Sequence, residues 1–397
     1  MESSAVEHLM DLLRVEGLSG NESAVVDVVR KKLLQVGCRP AWIRTDQAHR
    51  RIPECGRTFE TGNLIVQIPG TIREPRRMFL AHMDTVPMCR GAVPVLDGHR
   101  IHAKGKTAVR ADNRTGVAAL VTIAETLLRD SIPHPPLTLL FTIAEEIGLY
   151  GAGYADPKTL GNPALAFNFD SGDPNELIIG AIGATRWTAE IHGLSAHAGM
   201  HPEKGISAML IFARAVADLS ERGFFGKIVK GRRTGTCNVG VVQGGEATNL
   251  VTDGVTARGE GRRHDPAFLK IIQNAVHEAF ARATENVRND EGQRGSVALT
   301  VQDSYRAFRL PARSPEVQFA MRVARAQGLN PVGIACNGGL DANPLIAAGI
   351  PTITLGAGQH GAHSVEEYVD LNEYQAGCRL GVALATESFV PAARGAR

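Results

Sequence analysis

Long apolar runs alternate with helix-like segments in the first part of the chain. The runs "RRMFLAHMD", "PLTLLFTIAEE" and "ALAFNFD" are apolar at most positions and then end in acidic residues. Such runs are typical of parallel strands that are covered on both faces. The segment "DNRTGVAALVTIAETLLRD" has the apolar period of an amphipathic helix instead. The alternation predicts an α/β fold, in which a mostly parallel sheet has helices on both faces.

The N-terminal region predicts two further helices. Residues 5–37 have a helical apolar period that is interrupted at "GLSGNE", and Ser19 is a candidate N-cap for a second helix at about residues 22–36. Acidic residues near the start of this region, and the lack of an apolar h-region, distinguish it from a secretory signal peptide.

The pattern changes near residue 184. "TRWTAEIHG" alternates between apolar and polar residues, as a half-exposed strand does. More strands follow, with strong helical patterns in "GISAMLIFARAVADLSERG" and "PAFLKIIQNAVHEAFARA", and the α/β pattern then returns with "PLIAAGIPTITLGAG". We therefore predict one domain from residues 1–183 and 301–397, with an α+β domain inserted at 184–300.

Composition excludes several classes of protein. The 43 basic and 41 acidic residues give a net charge of +2, which favours neither nucleic acid nor an anionic membrane surface as a partner. The longest apolar stretch, "GVAALVTIAETLL", is short and contains Glu125, so no membrane span is expected. Six cysteines without CxxC spacing, at positions 38, 55, 89, 237, 336 and 378, predict reduced thiols and a cytoplasmic location.

Side chains that can bind metals follow several of the predicted strands. "FLAHMDTVP" places His82 and Asp84 on the same face of a strand, so His82 can bind a metal while Asp84 accepts a hydrogen bond from its other ring nitrogen. The remaining candidates are Asp112, the pair Glu145 and Glu146, Asp170, and His363. Two histidines and three carboxylate ligands suit zinc, cobalt or manganese. Five ligands exceed one tetrahedral centre and predict two divalent ions that share a bridging carboxylate.

The adjacent glutamates suggest a division of labour. Neighbouring side chains at the end of a strand point to opposite sides, so Glu145 and Glu146 are not expected to do the same job. We predict that Glu146 binds a metal and that Glu145 stays free as the base that takes a proton from water.

Each of these groups also has a purely structural interpretation. Asp112 could cap a helix, Asp170 could begin a turn, His363 could be an ordinary loop histidine, and the glutamate pair could be a solvated strand end. Together they favour a site, because each follows a buried strand or begins a helix at one edge of the sheet. Ligands of α/β proteins bind at that edge.

These residues, in this order, resemble the M20 family of dinuclear-zinc peptidases and deacylases, and most closely its peptidase T-like branch. The stretches "HMDTVP", "RADNRTGVAAL", "AEEIGLYGA" and "NGGLDANPL" carry the resemblance. It implies a zinc-exopeptidase-like catalytic domain with His82, Asp112, Glu146, Asp170 and His363 as ligands. Asp112 would be the bridging ligand, with Asp84 behind His82 and Glu145 as the base.

The resemblance also implies roles for the inserted domain. "GLSAHAGMHPEKGISAM" resembles the dimerisation segment of the family, so His197 would approach the active site of the partner subunit in a homodimer. "ATNLVTDGVTARGEGRRHD" resembles the stretch that contacts substrate and points to Asn249 and Arg262. This domain would then be a lid and dimerisation domain.

One departure concerns the bridging aspartate. The family often has Gly-Ala-Asp-Asp there, whereas this chain has Arg110-Ala111-Asp112-Asn113. A large cation beside the metals would affect the class of substrate.

The expected function is that of a two-metal exopeptidase acting on short peptides from the amino end. His197 and a metal would stabilise the oxyanion, and Arg262 would bind a substrate carboxylate. A first alternative is an amidohydrolase of the same family, either a deacylase of N-acyl amino acids or a carboxypeptidase. A second alternative is a metal-free binding protein that has kept the fold.

Overall fold

The computed structural model describes residues 1–53 and 57–389, which fall into two compact units. The first unit comprises residues 1–180, 309–336 and 340 onward, and the second comprises residues 181–308 and 337–339. The inserted domain predicted at 184–300 lies inside the second unit. The structure adds a few residues at each end and the short segment 337–339.

The described residues form the following regular elements. The helices are α1 Glu2–Leu13, α2 Ser23–Gln35, α3 Ala111–Arg129, α4 Tyr150–Gly153, α5 Ala208–Glu221, α6 Pro266–Asn286, α7 Pro315–Ala326, α8 Ala342–Ala347 and α9 Leu371–Thr386. The strands are β1 Ile43–Thr45, β2 Leu64–Ile68, β3 Arg77–His82, β4 Pro94–Asp97, β5 Arg100–Ala103, β6 Leu137–Thr142, β7 Leu165–Ser171, β8 Glu176–Ala181, β9 Gly183–His192, β10 Gly226–Lys230, β11 Arg233–Gly244, β12 Gly254–Arg263, β13 Ser296–Tyr305, β14 Phe308–Arg309, β15 Val332–Cys336, β16 Thr352–Gly356, β17 Gln359–His360 and β18 Tyr368–Asp370.

A mixed sheet with a parallel centre forms the base of the first unit. Its strand order is β1-β2-β6-β3-β7-β16-β8-β14, and β15 also pairs with β8. The four central strands β6, β3, β7 and β16 are parallel, while β1, β2 and β8 pair antiparallel towards the edges. The predicted α/β fold with a mostly parallel sheet is confirmed. The antiparallel edge strands are an addition that the apolar runs did not predict.

The central strands are apolar at successive positions because both faces of the sheet are covered. On β3, Phe79 and Ala81 belong to the core that contains residues of α1, α2, α3 and α9. Met78 and Leu80, which point the other way, belong to a second core with Ala152 of α4 and Leu345 of α8. Both faces therefore exclude water, which leaves the strand ends as the places where polar side chains can collect.

The second unit is an antiparallel sheet with the strand order β10-β11-β12-β9-β13. Its core contains side chains of α5 and α6 together with Trp187, Ala189 and Ile191 of β9. The alternate residues Arg186 and Glu190 are exposed. The predicted half-exposed strand is thus confirmed, since one face of β9 packs in the core with α5 and α6 while Arg186 and Glu190 on the other face are exposed.

The N-terminal prediction is correct in its helices and wrong in its cap. The helix α2 begins at Ser23 with Glu22 at the N-cap position, and the hydroxyl of Ser19 donates instead to Asp84 Oδ2 at 2.7 Å. The five cysteines that the structure describes are free, and Cys55 lies outside the described residues. None of the described helices is long and apolar enough to cross a membrane.

Candidate metal centre

Three neighbouring strands bring the predicted metal ligands of the first unit together. His82 ends β3 and Asp170 lies near the end of β7, which is parallel to β3. The glutamate pair follows β6, on the other side of β3. Asp112 lies in the first turn of α3, and His363 lies in the loop between β17 and β18. The carboxyl ends of parallel strands share one edge of a sheet, which is why distant parts of the sequence meet here.

The carboxylate of Asp112 lies between the two histidines. Its Oδ1 is 3.1 Å from His82 Nε2, and its Oδ2 is 3.4 Å from His363 Nε2. His82 Nε2 is also 3.7 Å from Asp170 Oδ1, and His363 Nε2 is 2.8 Å from Glu146 Oε2. The five predicted ligands therefore form two groups, one around each histidine, that share Asp112.

These side chains fit divalent metal ions. Ligand atoms of His82, Asp112 and Glu146 lie within 4.8 Å of one another. Glu146 Oε1 is buried and has no hydrogen-bond partner among the described residues. A set made of imidazole nitrogens and carboxylate oxygens suits zinc, cobalt or manganese.

The charges of the cluster also favour the binding of metal cations. Five carboxyl groups, those of Asp84, Asp112, Glu145, Glu146 and Asp170, meet only two imidazoles at this site. With all five carboxyl groups ionised, these seven side chains would carry excess negative charge even if both imidazoles were protonated. Buried charge of one sign is costly, and bound cations would offset it.

The pKa values of the cluster reflect this crowding. Burial raises the pKa of Glu146 to about 7. Burial also raises the pKa of Glu145 well above its usual range, and the negative charges of Asp170 and Asp341 add to the effect. Hydrogen bonds to Asp112 and Glu146 raise the pKa of His363 to about 10. Glu145 and Glu146 thus bind protons more tightly than an exposed glutamate when no metal ion is near.

The ring of His82 is oriented by Asp84. His82 Nδ1 lies 3.0 Å from the main-chain oxygen of Asp84 and 3.5 Å from its Oδ1, so the main-chain oxygen is the nearer acceptor. With Nδ1 as the donor, Nε2 is left with a free lone pair on the side of Asp112 and Asp170. The sequence predicts that the side chain of Asp84 accepts this hydrogen bond, whereas in the structure the main-chain oxygen of the same residue is closer.

A turn, rather than strand alternation, places the two glutamates. The strand β6 already ends at Thr142, and Ala144 has a left-handed φ of 53°. The main-chain N–H groups of Glu145 and Glu146 donate to Oδ1 and Oδ2 of Asp84 at 2.9 and 3.2 Å. Glu146 reaches His363, and Glu145 is buried beside the cluster. The physical reason given from the sequence is therefore wrong, although the two side chains do differ in their surroundings.

The site also contains residues that the sequence analysis missed. Gln359 donates through Nε2 to Oδ1 of both Asp112 and Asp170, each at 3.2 Å. The carboxylate of Glu367 accepts the main-chain N–H groups of Arg110 at 2.8 Å and Asp112 at 3.0 Å. Glu367 lies four residues after His363, and this short distance in the sequence could have marked it as a candidate for the site. Gln359 has no comparable signal in the sequence.

The guanidinium of Arg110 binds main-chain carbonyls. Arg110 is buried, and its Nη1 donates to the carbonyl oxygens of Leu13 at 2.7 Å and Ala92 at 3.0 Å. Its φ of 73° lies in the left-handed region, which glycine adopts most easily. The arginine side chain joins the end of α1, at Leu13, to the loop before β4, at Ala92.

The three predicted site residues of the second unit, His197, Asn249 and Arg262, each have hydrogen-bond or ion-pair partners within that unit. His197 is exposed, and its Nδ1 accepts the N–H groups of Gly199 at 3.2 Å and Met200 at 3.1 Å. The main-chain oxygen of Asn249 accepts the N–H of Ala198 at 2.9 Å. Arg262 pairs with Glu260, with 2.7 Å between Nε and Oε1. A neutral His197 thus carries its proton on Nε2, since Nδ1 is an acceptor.

Comparisons with known proteins show similarity to peptidases. The chain matches the model of peptidase family M20/M25/M40 over residues 78–387. Peptidase T of Clostridium botulinum (strain Okra / Type B1) is 26% identical over 377 residues, which cover 82% of this chain and 86% of that protein.

Solved structures of similar proteins cover nearly the whole chain. Aminopeptidase PepT from Bacillus cereus ATCC 10987 has a TM-score of 0.79 and 28% identity, with 97% of this chain and 98% of that chain covered. A tripeptidase from Staphylococcus aureus has a TM-score of 0.83 and 27% identity, with the same coverage of 97% and 98%. These similarities confirm the resemblance to the peptidase T-like branch. The match to the family model covers well over half of this chain. The chain therefore belongs to peptidase family M20/M25/M40.

Proposed function

We propose that this protein is a two-metal exopeptidase that hydrolyses short peptides from the amino end. The observation that carries the proposal is the position of Asp112, whose two carboxylate oxygens each face a different histidine, His82 and His363. A carboxylate placed in this way suits two ions that share one ligand. The names of the similar proteins, an aminopeptidase, a tripeptidase and Peptidase T, support the choice of substrate.

The residues of the cluster would divide between two ions. His82 and Asp170 would hold one ion, His363 and Glu146 would hold the other, and Asp112 would bridge them. Zinc is the first choice for this donor set, with cobalt or manganese as alternatives. When bound, such ions act as Lewis acids that polarise a carbonyl group and make water more acidic.

Glu145 would move the proton. Its carboxylate is buried, and its backbone is held by Asp84 at 2.9 Å. It would take a proton from the attacking water and pass it to the leaving amine.

The second unit would complete the active site of a partner subunit in a homodimer. The protonated Nε2 of a neutral His197 is a suitable donor to an oxyanion. Asn249 and Arg262 would contact substrate, and a substrate carboxylate at Arg262 would have to share the guanidinium with Glu260. Exposed apolar side chains close to His197 in sequence support a partner surface, namely Leu194, Met200 and Leu210. We propose that this dimer is cytoplasmic, as the cysteine pattern of the sequence predicts.

Free and blocked peptides test the proposal. The purified protein is assayed with unblocked di- and tripeptides and with N-acetyl amino acids, with added zinc, cobalt or manganese, and its metal content is measured. Metal-dependent release of the first residue from unblocked tripeptides is the expected result. Hydrolysis of N-acetyl amino acids instead would identify a deacylase, and release from the carboxyl end a carboxypeptidase. A protein that binds no metal and cleaves none of these compounds would favour a binding role.

A further inference from the structure

The main chain that carries the two glutamates is held by side chains from other parts of the chain. Four consecutive N–H groups, those of Ile143, Ala144, Glu145 and Glu146, each donate to a side-chain oxygen. The acceptors are Asn63 Oδ1 at 3.2 Å, Glu22 Oε1 at 3.0 Å, Asp84 Oδ1 at 2.9 Å and Asp84 Oδ2 at 3.2 Å, in that order. We call Glu22, Asn63 and Asp84 the acceptor triplet.

The strand order explains how two of these acceptors reach the turn. The strands β2 and β3 lie on either side of β6, and β2 is antiparallel to it. Asn63 therefore precedes β2 at the place where Leu64 pairs with Phe141, close to the end of β6. Asp84 follows β3, whose last residue His82 pairs with Thr142. Glu22 comes from the N-terminal region and supplies the acceptor between them.

The N–H groups of residues 143–146 need these acceptors because β6 ends at Thr142, so none of the described neighbouring strands pairs with them. The carbonyl groups of Ile143, Ala144 and Glu145 accept N–H groups from the following residues 148–151, within the turn itself. The N–H groups of 143–146 point to the acceptor triplet instead. Ala144 is held in the left-handed region at a φ of 53°, where a residue with a Cβ is disfavoured. The bond to Glu22 is made at this residue, immediately before Glu145.

All three members of the triplet are buried, and Asn63 and Asp84 are themselves braced by other groups. Glu22, Asn63 and Asp84 each have a relative exposure of 0%. Asn63 Nδ2 donates to Asp46 Oδ2 at 2.8 Å and to the main-chain oxygen of Gly151 at 2.9 Å, at the far end of the turn. Ser19 supports the third member through its bond to Asp84 Oδ2. A buried side chain that is braced in this way can fix the position of a main-chain atom closely.

We propose that Glu22 and Asn63 are positioning residues for the reaction, and that Ser19 acts with them through Asp84. The proposal rests on the proposed function, in which Glu145 is the base. Glu22 and Asn63 would act by fixing the main chain at Ala144 and Ile143, immediately before Glu145, so that the carboxylate of Glu145 meets the water it deprotonates. They would affect turnover more than substrate binding, because they hold the base and touch no substrate.

Substitutions of Glu22 test the proposal with the whole protein. Glu22→Met removes the acceptor at similar volume, and Glu22→Gln keeps a carbonyl oxygen that can accept from Ala144. We expect kcat of Glu22→Met to fall about 10- to 100-fold, with KM within about twofold and metal content unchanged. Glu22→Gln should keep kcat within about threefold of the wild type. A matched control is Thr138→Val on the same strand, which removes a buried hydroxyl that donates to Leu160 at 2.8 Å and should leave kcat unchanged.

Hydrogen exchange gives a readout that does not depend on activity. The amides of residues 144–146 should exchange faster in Glu22→Met than in the wild type or in Glu22→Gln. If the wild type cleaves no peptide, the proposed function fails, and this exchange measurement still decides whether Glu22 holds the turn. If Glu22→Met does not fold, Ser19→Ala decides, with an expected kcat about 3- to 10-fold lower.

Several outcomes would overturn the proposal. A folded Glu22→Met with the kcat and amide protection of the wild type would exclude a positioning role. Equal losses in Glu22→Met and Glu22→Gln would show that the acceptor oxygen is not what matters. An equal loss in Thr138→Val would show that turnover responds to any polar change in this core.

Discussion

His363 Nε2 lies 2.8 Å from Glu146 Oε2, and this ion pair distinguishes the two adjacent glutamates. Glu146 is thereby joined to Asp112, which His363 also contacts at 3.4 Å. Glu145 is buried beside the same cluster with its main chain held by Asp84. One glutamate is thus tied to the side chains that would hold metal, and the other is left for proton transfer.

Replacement of Glu145 by glutamine should separate metal binding from turnover. We expect Glu145→Gln to keep the fold and both ions, because the amide has the size of the carboxylate. Its kcat should fall by about 10²–10⁴, the usual cost of removing a general base. Metal analysis and steady-state kinetics measure the two effects. If Glu145→Gln lost the metals while Glu146→Gln kept them, the assignment within the pair would be reversed.

Replacement of Asp112 by alanine should remove metal. Both oxygens of Asp112 face histidines, so its loss deprives both ions of a ligand at once. We expect Asp112→Ala to bind less than half of the metal of the wild type and to lose activity, with a similar secondary structure by circular dichroism. Normal metal content in a folded Asp112→Ala would contradict the bridging role.

The sequence predicts which metal-capable side chains meet at this site better than it predicts the residues that hold them in place. Apolar runs such as the one before His82 are informative because Phe79 and Met78 are buried on opposite faces of the sheet. The end of each apolar run then marks the edge of the sheet at which the candidate site lies. The sequence does not reveal the role of Ser19, whose hydroxyl donates to Asp84, 65 residues away. A serine that caps a helix would look the same in the sequence.

The turn after β6 shows a second limit. The left-handed φ of Ala144 depends on acceptors from Glu22 and Asp84, which lie far away in the sequence. Strand alternation was therefore the natural but wrong explanation for the glutamate pair. Gln359 was missed for a related reason, since its two contacts exist only once Asp112 and Asp170 have met.

Glu367 should control metal affinity without binding metal itself. Its carboxylate accepts the N–H of Asp112 at 3.0 Å and so fixes the main chain of the residue that we propose as the bridging ligand. We expect Glu367→Ala to weaken metal binding about 10- to 100-fold, as the loss of a supporting partner usually does. Glu367→Gln, which keeps one acceptor oxygen, should lose less. Competition with a chelator measures both, and unchanged affinity in a folded Glu367→Ala would refute this role.

Arg110 should matter for stability and little for catalysis. Its guanidinium binds the carbonyls of Leu13 and Ala92, and Arg110→Met leaves both carbonyls without these donors. We expect the free energy of unfolding to fall by about 2 kcal/mol or more, because unpaired buried carbonyls are costly. The kcat/KM of the folded variant should stay within about threefold of the wild type. Urea denaturation and kinetics give the two values, and a tenfold loss of kcat/KM with unchanged stability would place Arg110 in the active site after all.

Mixed dimers should show whether His197 acts on the partner subunit. The inactive variants His197→Ala and Glu145→Gln are mixed and allowed to exchange subunits. In a mixed dimer, the site on the His197→Ala chain has a native Glu145 and would receive His197 from its partner, while the other site lacks both groups. Random exchange makes half of the dimers mixed, each with one complete site of two. Roughly one quarter of the wild-type activity should therefore return.

The same experiment distinguishes the other possible positions of His197. If His197 served the site of its own chain, each site in a mixed dimer would still lack one of the two groups, and no activity would return. If it served no site, His197→Ala would be active by itself. Differently tagged subunits that are pulled down together, but remain inactive, would refute the exchange of His197 between subunits.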